Sequence, residues 1–192
     1  MTGLWGKPTA LPRKRQPKGA LLLAVDLCPH SFHTLAVRIL PRRMKELRRA
    51  ITNASPLALF DTPGLGLRGI MRLLETAEDF SGCYVLLCRN KPVYVGISRR
   101  VLYRLYSHIR GTSHFTATLA FRMAAAETGL KLSREQHMAE MGFRRAFAKK
   151  KKQMRQWKVA WVAIENPVEL CLFEVFCAMG LNTSKWNTFK TH

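Results

Sequence analysis

The chain has 192 residues, 47% of them hydrophobic, with Lys+Arg 32 against Asp+Glu 12 and a formal net charge of +20. That length can bury one good core, and that apolar fraction excludes a largely disordered protein. So large an excess of positive charge predicts a polyanionic partner. No apolar run exceeds that of Ala20 to Val25, which Asp26 stops, far short of the ~20 residues that span a bilayer. No transmembrane helix is therefore expected, and the polyanion is read as nucleic acid, not a membrane.

Residues 1–19, rich in Pro, Gly and basic side chains, are expected to form a flexible basic leader. Arg13-Lys14-Arg15 imitates the start of a signal peptide, but the apolar segment behind it is too short and no small-residue cleavage site follows. Cys28, Cys83, Cys88, Cys171 and Cys177 lack C-x-x-C spacing. They are read as reduced, buried residues of a cytoplasmic protein, without zinc or a disulfide framework. From Pro41, Met44, Leu47 and Ile51 recur at helical spacing with Arg42, Arg43, Lys45, Arg48 and Arg49 on the other faces, the pattern of a basic amphipathic helix. Residues 53–66, with Pro56 and Pro63, read as a loop, and residues 67–77 as a second helix. Residues 20–80 are thus a helical basic N-terminal region, whose plainest role is scaffolding with a solvated face.

Residues 83–88 and 93–97 are β-branched and aromatic runs, and polar Arg89-Asn90-Lys91-Pro92 between them suits a turn, which predicts a hairpin. Over 99–110 the pattern becomes helical. Val101, Leu102, Leu105 and Ile109 form a packing stripe, and Arg100, Arg104 and His108 stack beside it. Gly111 ends this helix, and His114 beyond it is a candidate phosphate contact. An Ala-rich helix over 115–128 stops at Gly129, and Ser133 with Gln136 makes a capping box for a helix running through Phe143 and Phe147 towards Trp157. That helix carries Arg144, Arg145, Lys149, Lys150, Lys151, Lys152 and Arg155, either a solvated face or a set of phosphate contacts. Alternation over 158–165 predicts a third strand. In the last helix, Asn166-Pro167 gives a cap and first turn, and Glu169 reads as a capping carboxylate. Glu174 has no such explanation. It interrupts an apolar run, where a carboxylate needs a cation, a metal or an unusual proton affinity.

Taken in order, Gly82-Cys83-Tyr84, Tyr94-Val95-Gly96, Arg104, His108, Glu174 and a downstream asparagine form a constellation that resembles the GIY-YIG nuclease superfamily over residues 81–192. Cysteine and valine stand where the family has isoleucines, apolar exchanges at buried strand positions. The resemblance implies an α+β fold, with a small three-stranded antiparallel sheet flanked by helices, and a metal-dependent endonuclease that cuts phosphodiester bonds in DNA. Residues of about 112–157 would then be a helical basic insertion, assigned to substrate binding. Tyr84 is the general base the resemblance implies, with His108 assisting or sharing that task, and Tyr94 orients the water or scissile phosphate. Arg104 offers a planar fork of donors for phosphate. Glu174, a lone hard oxygen ligand, suits one Mg²⁺ or Mn²⁺. Asn187 is preferred over Asn182 as the family's asparagine. With Arg100, His114 and Lys149 to Lys152 it completes the candidate substrate contacts. The competing class is a non-catalytic DNA- or RNA-binding protein that keeps the same fold.

Overall fold

The computed structural model describes residues 25–111 and 113–189; the leader expected over residues 1–19 lies outside them. A one-turn helix, α1 (Phe32–Thr34), is capped by the Ser31 hydroxyl and runs through a π-helical turn into α2 (Leu40–Thr52). Pro41 stands in the first turn of α2, where its missing N–H costs nothing. A two-residue strand, β1 (Ser55–Pro56), and a 3₁₀ turn then lead to α3 (Leu67–Leu73). The hairpin of β2 (Gly82–Cys88) and β3 (Lys91–Ser98) feeds α4 (Val101–Arg110). Next come α5 (Thr118–Thr128), α6 (Arg134–Ala139), α7 (Met141–Met154), β4 (Lys158–Ala163) and α8 (Pro167–Gly180). No described helix is long and apolar enough to cross a membrane.

The fold is α+β, with an antiparallel sheet in the order β1-β4-β2-β3. It has four strands where three were expected. The additional strand lies inside the segment read as a loop, Ser55 pairing with Val159 and Pro56 with Lys158. Two residues cannot display a period of two, so no pattern announces it. The hairpin turn is also tighter than expected. Arg89 and Asn90, at φ 51° and 61°, connect the strands alone, in the left-handed geometry that matches strand twist. Lys91 and Pro92 are therefore strand residues, and β3 tolerates a proline because it is the edge strand.

Alternation along β2 divides the core between two faces. Cys83, Val85 and Leu87 pack with Leu40, Met44 and Leu47 of α2 and Leu170, Phe173 and Cys177 of α8. Tyr84 and Leu86 face Leu102 and Leu105 of α4, with Phe121 of α5 and Phe143 and Phe147 of α7 in the same cluster. The N-terminal region joins both cores, since Leu57, Phe60 and Ile70 are buried on the α4 side. A partly buried ion pair ties it further, Arg43 Nε donating to Glu169 Oε1 at 2.6 Å. Glu169 is thus an ion-pair partner, and the helix cap is the Asn166 side chain, which accepts the Val168 and Glu169 N–H groups.

The helix expected from Ser133 towards Trp157 is two helices. The Ser133–Gln136 capping box starts α6 as expected. Glu140, at φ −71° and ψ 122°, then leaves the helical region, and α7 restarts with Phe143, Ala146 and Phe147 buried.

Two glycines are dictated by close approach. Tyr84 lies opposite Gly96 in the β2–β3 register, and a Cβ on Gly96 would sit 2.6 Å from the Tyr84 ring and hydroxyl. One on Gly82 would strike the Val162 carbonyl across the β2–β4 pair. Gly96→Ala is therefore expected to displace the Tyr84 ring and to destabilise the fold by about 1–3 kcal/mol, as overpacking does. Urea unfolding measures this, and an unchanged midpoint would contradict the packing described.

Candidate active site

The first helical turns of α4 are organised from outside the helix. Asp79 Oδ1 accepts the Phe80 and Leu102 N–H groups at 2.9 and 2.8 Å, and Oδ2 accepts that of Tyr103 at 2.9 Å. A carboxylate on helix-terminal amides is well placed against the helix dipole. With α4 so fixed, Arg100, Arg104 and His108 run from solvent into the core: exposed, half-buried and fully buried.

His108 meets Tyr84 beneath the sheet. Its Nε2 lies 2.9 Å from Tyr84 Oη, and both side chains are buried. Burial, and then the Arg104 charge, lower the imidazole from 6.5 to about 3, so it is neutral at physiological pH. Its Nδ1 is buried with no partner among the described residues. A buried N–H without an acceptor is costlier than a bare lone pair, which assigns the proton to Nε2, donating to Tyr84 Oη. Burial also pushes the Tyr84 phenol far above its usual range.

Tyr94 occupies the sheet edge. Its ring centroid is 6.3 Å from that of Tyr84, and it is only partly buried. Burial and the Glu174 charge raise its proton affinity, while Arg104 and Arg122 lower it. Arg104 thus lies beside both phenols and also donates to the Thr116 carbonyl at 3.3 Å. Glu174 comes from α8, on the opposite face of the sheet, and its charge acts on the Tyr94 phenol. It is half-buried, and desolvation raises its carboxyl. Among the described residues it makes no ion pair or side-chain hydrogen bond. A carboxylate of that kind fits a divalent cation that keeps most of its waters. Among the described residues no cluster of three His, Cys, Asp or Glu occurs.

The two asparagines separate cleanly. Asn182, at φ 52°, is the left-handed residue ending α8, with Thr183 N–H bonded back to the Ala178 carbonyl. Asn187 reaches β3, where Oδ1 accepts the Val95 N–H at 2.9 Å and Nδ2 donates to the Val95 carbonyl at 2.8 Å. Its amide is thus spent on the backbone beside Tyr94.

The other residues expected as substrate contacts have the following partners. Arg100 pairs with Asp79 at 3.8 Å. His114 stacks on Phe115 and Phe121 with Nε2 buried, so it packs instead of facing solvent. Lys149 and Lys150 both pair with Glu127, and Lys151 donates to the Gly111 carbonyl at 2.5 Å. Lys152 is exposed. Three of the four lysines therefore have partners that join α7 to its neighbours.

Arg122 joins the site from α5 without having been expected there. It donates to Thr188 Oγ1 at 3.1 Å and acts on the Tyr94 hydroxyl. Its only signal in sequence is a lone arginine in an Ala-rich helix.

Compared with known proteins, the chain matches no family model, and no curated protein or solved structure is significantly similar to it.

Proposed function

We propose that the protein is a metal-dependent endonuclease of the GIY-YIG type that hydrolyses phosphodiester bonds in DNA. The observation that carries this reading is the meeting, at the Tyr94 phenol, of the charges of Arg104 and a half-buried carboxylate, Glu174, without an ion-pair partner among the described residues. Phosphodiester hydrolysis needs a positioned water and compensation of the charge gathering on the phosphoryl oxygens. Glu174 would hold Mg²⁺ or Mn²⁺, which when bound supplies Lewis-acid stabilisation of that charge.

The remaining tasks fall to the chain's own residues. Arg104 and Arg122 both bring permanent positive charge to the Tyr94 phenol, suited to phosphate oxygens. Tyr94, the more accessible phenol, orients the water and the scissile phosphate. Tyr84 stands behind it, held by His108 and buried. This moves His108 from candidate base to positioning residue, because it touches Tyr84 and is closed off from solvent.

The test is supercoiled plasmid incubated with purified protein in Mg²⁺ and, in parallel, in EDTA. Conversion to nicked circles in Mg²⁺ alone is expected. Binding of plasmid without nicking under either condition would support the non-catalytic nucleic-acid-binding class instead.

A further inference from the structure

A second cationic feature lies where α3 faces the start of α4, and its α3 side precedes the segment that resembles the nuclease family. A cavity of about 610 Å³ is lined there by Leu67, Arg68, Met71, Arg72, Asp79 and Arg100, among others. Arg68 and Arg72, one helical turn apart on α3, are exposed and make no ion pair or side-chain hydrogen bond among the described residues. Leu67 and Met71 pack on the core and give the cavity an apolar wall. The guanidinium of Arg100, one of the lining residues, lies over the Tyr103 ring, 4.8 Å from its centroid, and Tyr103 is 48% exposed. The acid Asp79 is committed to three backbone N–H groups and to Arg100. That leaves Glu78 as the opposing charge in the wall.

We propose that this cleft takes one unpaired nucleotide of a DNA strand, with its phosphate on Arg68 and Arg72 and its base against the Arg100–Tyr103 stack. An unpaired guanidinium pair suits phosphate, and a half-exposed aromatic ring beside a cation is a stacking platform for a base freed from a duplex. A cavity of this size falls in the range of small-ligand sites, about 300–1,000 Å³. The placement deepens the nuclease reading and rests on it for direction. Arg100 precedes Arg104 by one turn of α4, about 6 Å along the axis, which puts the cleft next to the proposed site. The substrate class is therefore DNA with a single-stranded segment next to the cut.

Equilibrium binding in EDTA tests this without requiring cleavage, using labelled blunt duplex and the same duplex carrying a single-stranded tail. The wild-type protein is expected to prefer the tailed duplex. Arg68→Ala with Arg72→Ala should weaken binding to it by about tenfold or more. It should also flatten the log–log salt dependence by about 0.7, the share of one single-strand phosphate. Tyr103→Ala should weaken tailed binding by roughly 5- to 100-fold, and Tyr103→Phe should restore it. Unchanged affinity and salt slope in the double variant overturn the proposal, as does an equal loss on blunt duplex. Circular dichroism melts of these surface variants control for folding. A protein that binds tailed DNA as described but fails to nick plasmid would sink the nuclease reading alone.

Discussion

Glu174→Gln is expected to reduce Mg²⁺-dependent nicking by about 10³-fold, equivalent to about 4 kcal/mol of lost transition-state stabilisation, while melting at a higher temperature than the parent. The two outcomes have one cause. Desolvation raises the Glu174 carboxyl above its ordinary value. A raised carboxyl favours folding below the unfolded-state pKa and loses that contribution as pH rises through the folded one. At neutral pH the ionised group is therefore a burden on the fold, and glutamine removes the charge while keeping shape. Mg²⁺ should reverse the burden in the parent, raising its melting temperature but not that of Glu174→Gln. A variant that retains full nicking would remove Glu174 from the metal site, and one that melts lower would give it a structural role.

Acidification should expose the cost of burying His108. The folded imidazole is lowered from 6.5 to about 3, so between those values the unfolded chain binds the proton and the native protein does not. The neutral buried ring contributes its full share to stability above the unfolded value and loses it as pH falls towards the folded one. Between pH 7 and pH 4 the loss amounts to roughly 3 kcal/mol, from about 1.36 kcal/mol per pH unit. Urea unfolding of His108→Gln should lack this component, and the difference between the parent and variant slopes isolates it from other groups. Parallel slopes between pH 4 and pH 6.5 would mean that the imidazole titrates normally. Nicking by His108→Gln should fall through a reduced rate at saturating DNA, with little change in binding, because His108 acts through Tyr84.

Most of the scaffold was legible because its signals are local. The hairpin showed in two apolar runs around a polar turn, β4 in its alternation, and α6 and α8 in caps that the structure reproduces. Apart from the break at Glu140 and the tight Arg89–Asn90 turn, the misses are contacts made across the sequence. β1 exists because β4 offers Ser55 and Pro56 a partner. Asp79 caps α4 from beyond β2 and β3. Arg122 stands out because it reaches Thr188 and its charge acts on Tyr94, and nothing in its own helix distinguishes it from a solvated arginine. Glu174 was legible as an anomaly, a charge in an apolar run, but that its charge acts on Tyr94 is a property of the folded chain.

The Asn187 clasp on β3 has a consequence for the behaviour of the protein in concentrated solution. An edge strand offers N–H and C=O groups on which another chain can add a strand, and proteins prone to such addition aggregate. Asn187 occupies both groups of Val95, the rung beside Tyr94. The residue that steadies the proposed site thus also keeps a neighbouring molecule from growing onto it, and Asn187→Ala should yield a protein that self-associates through β3.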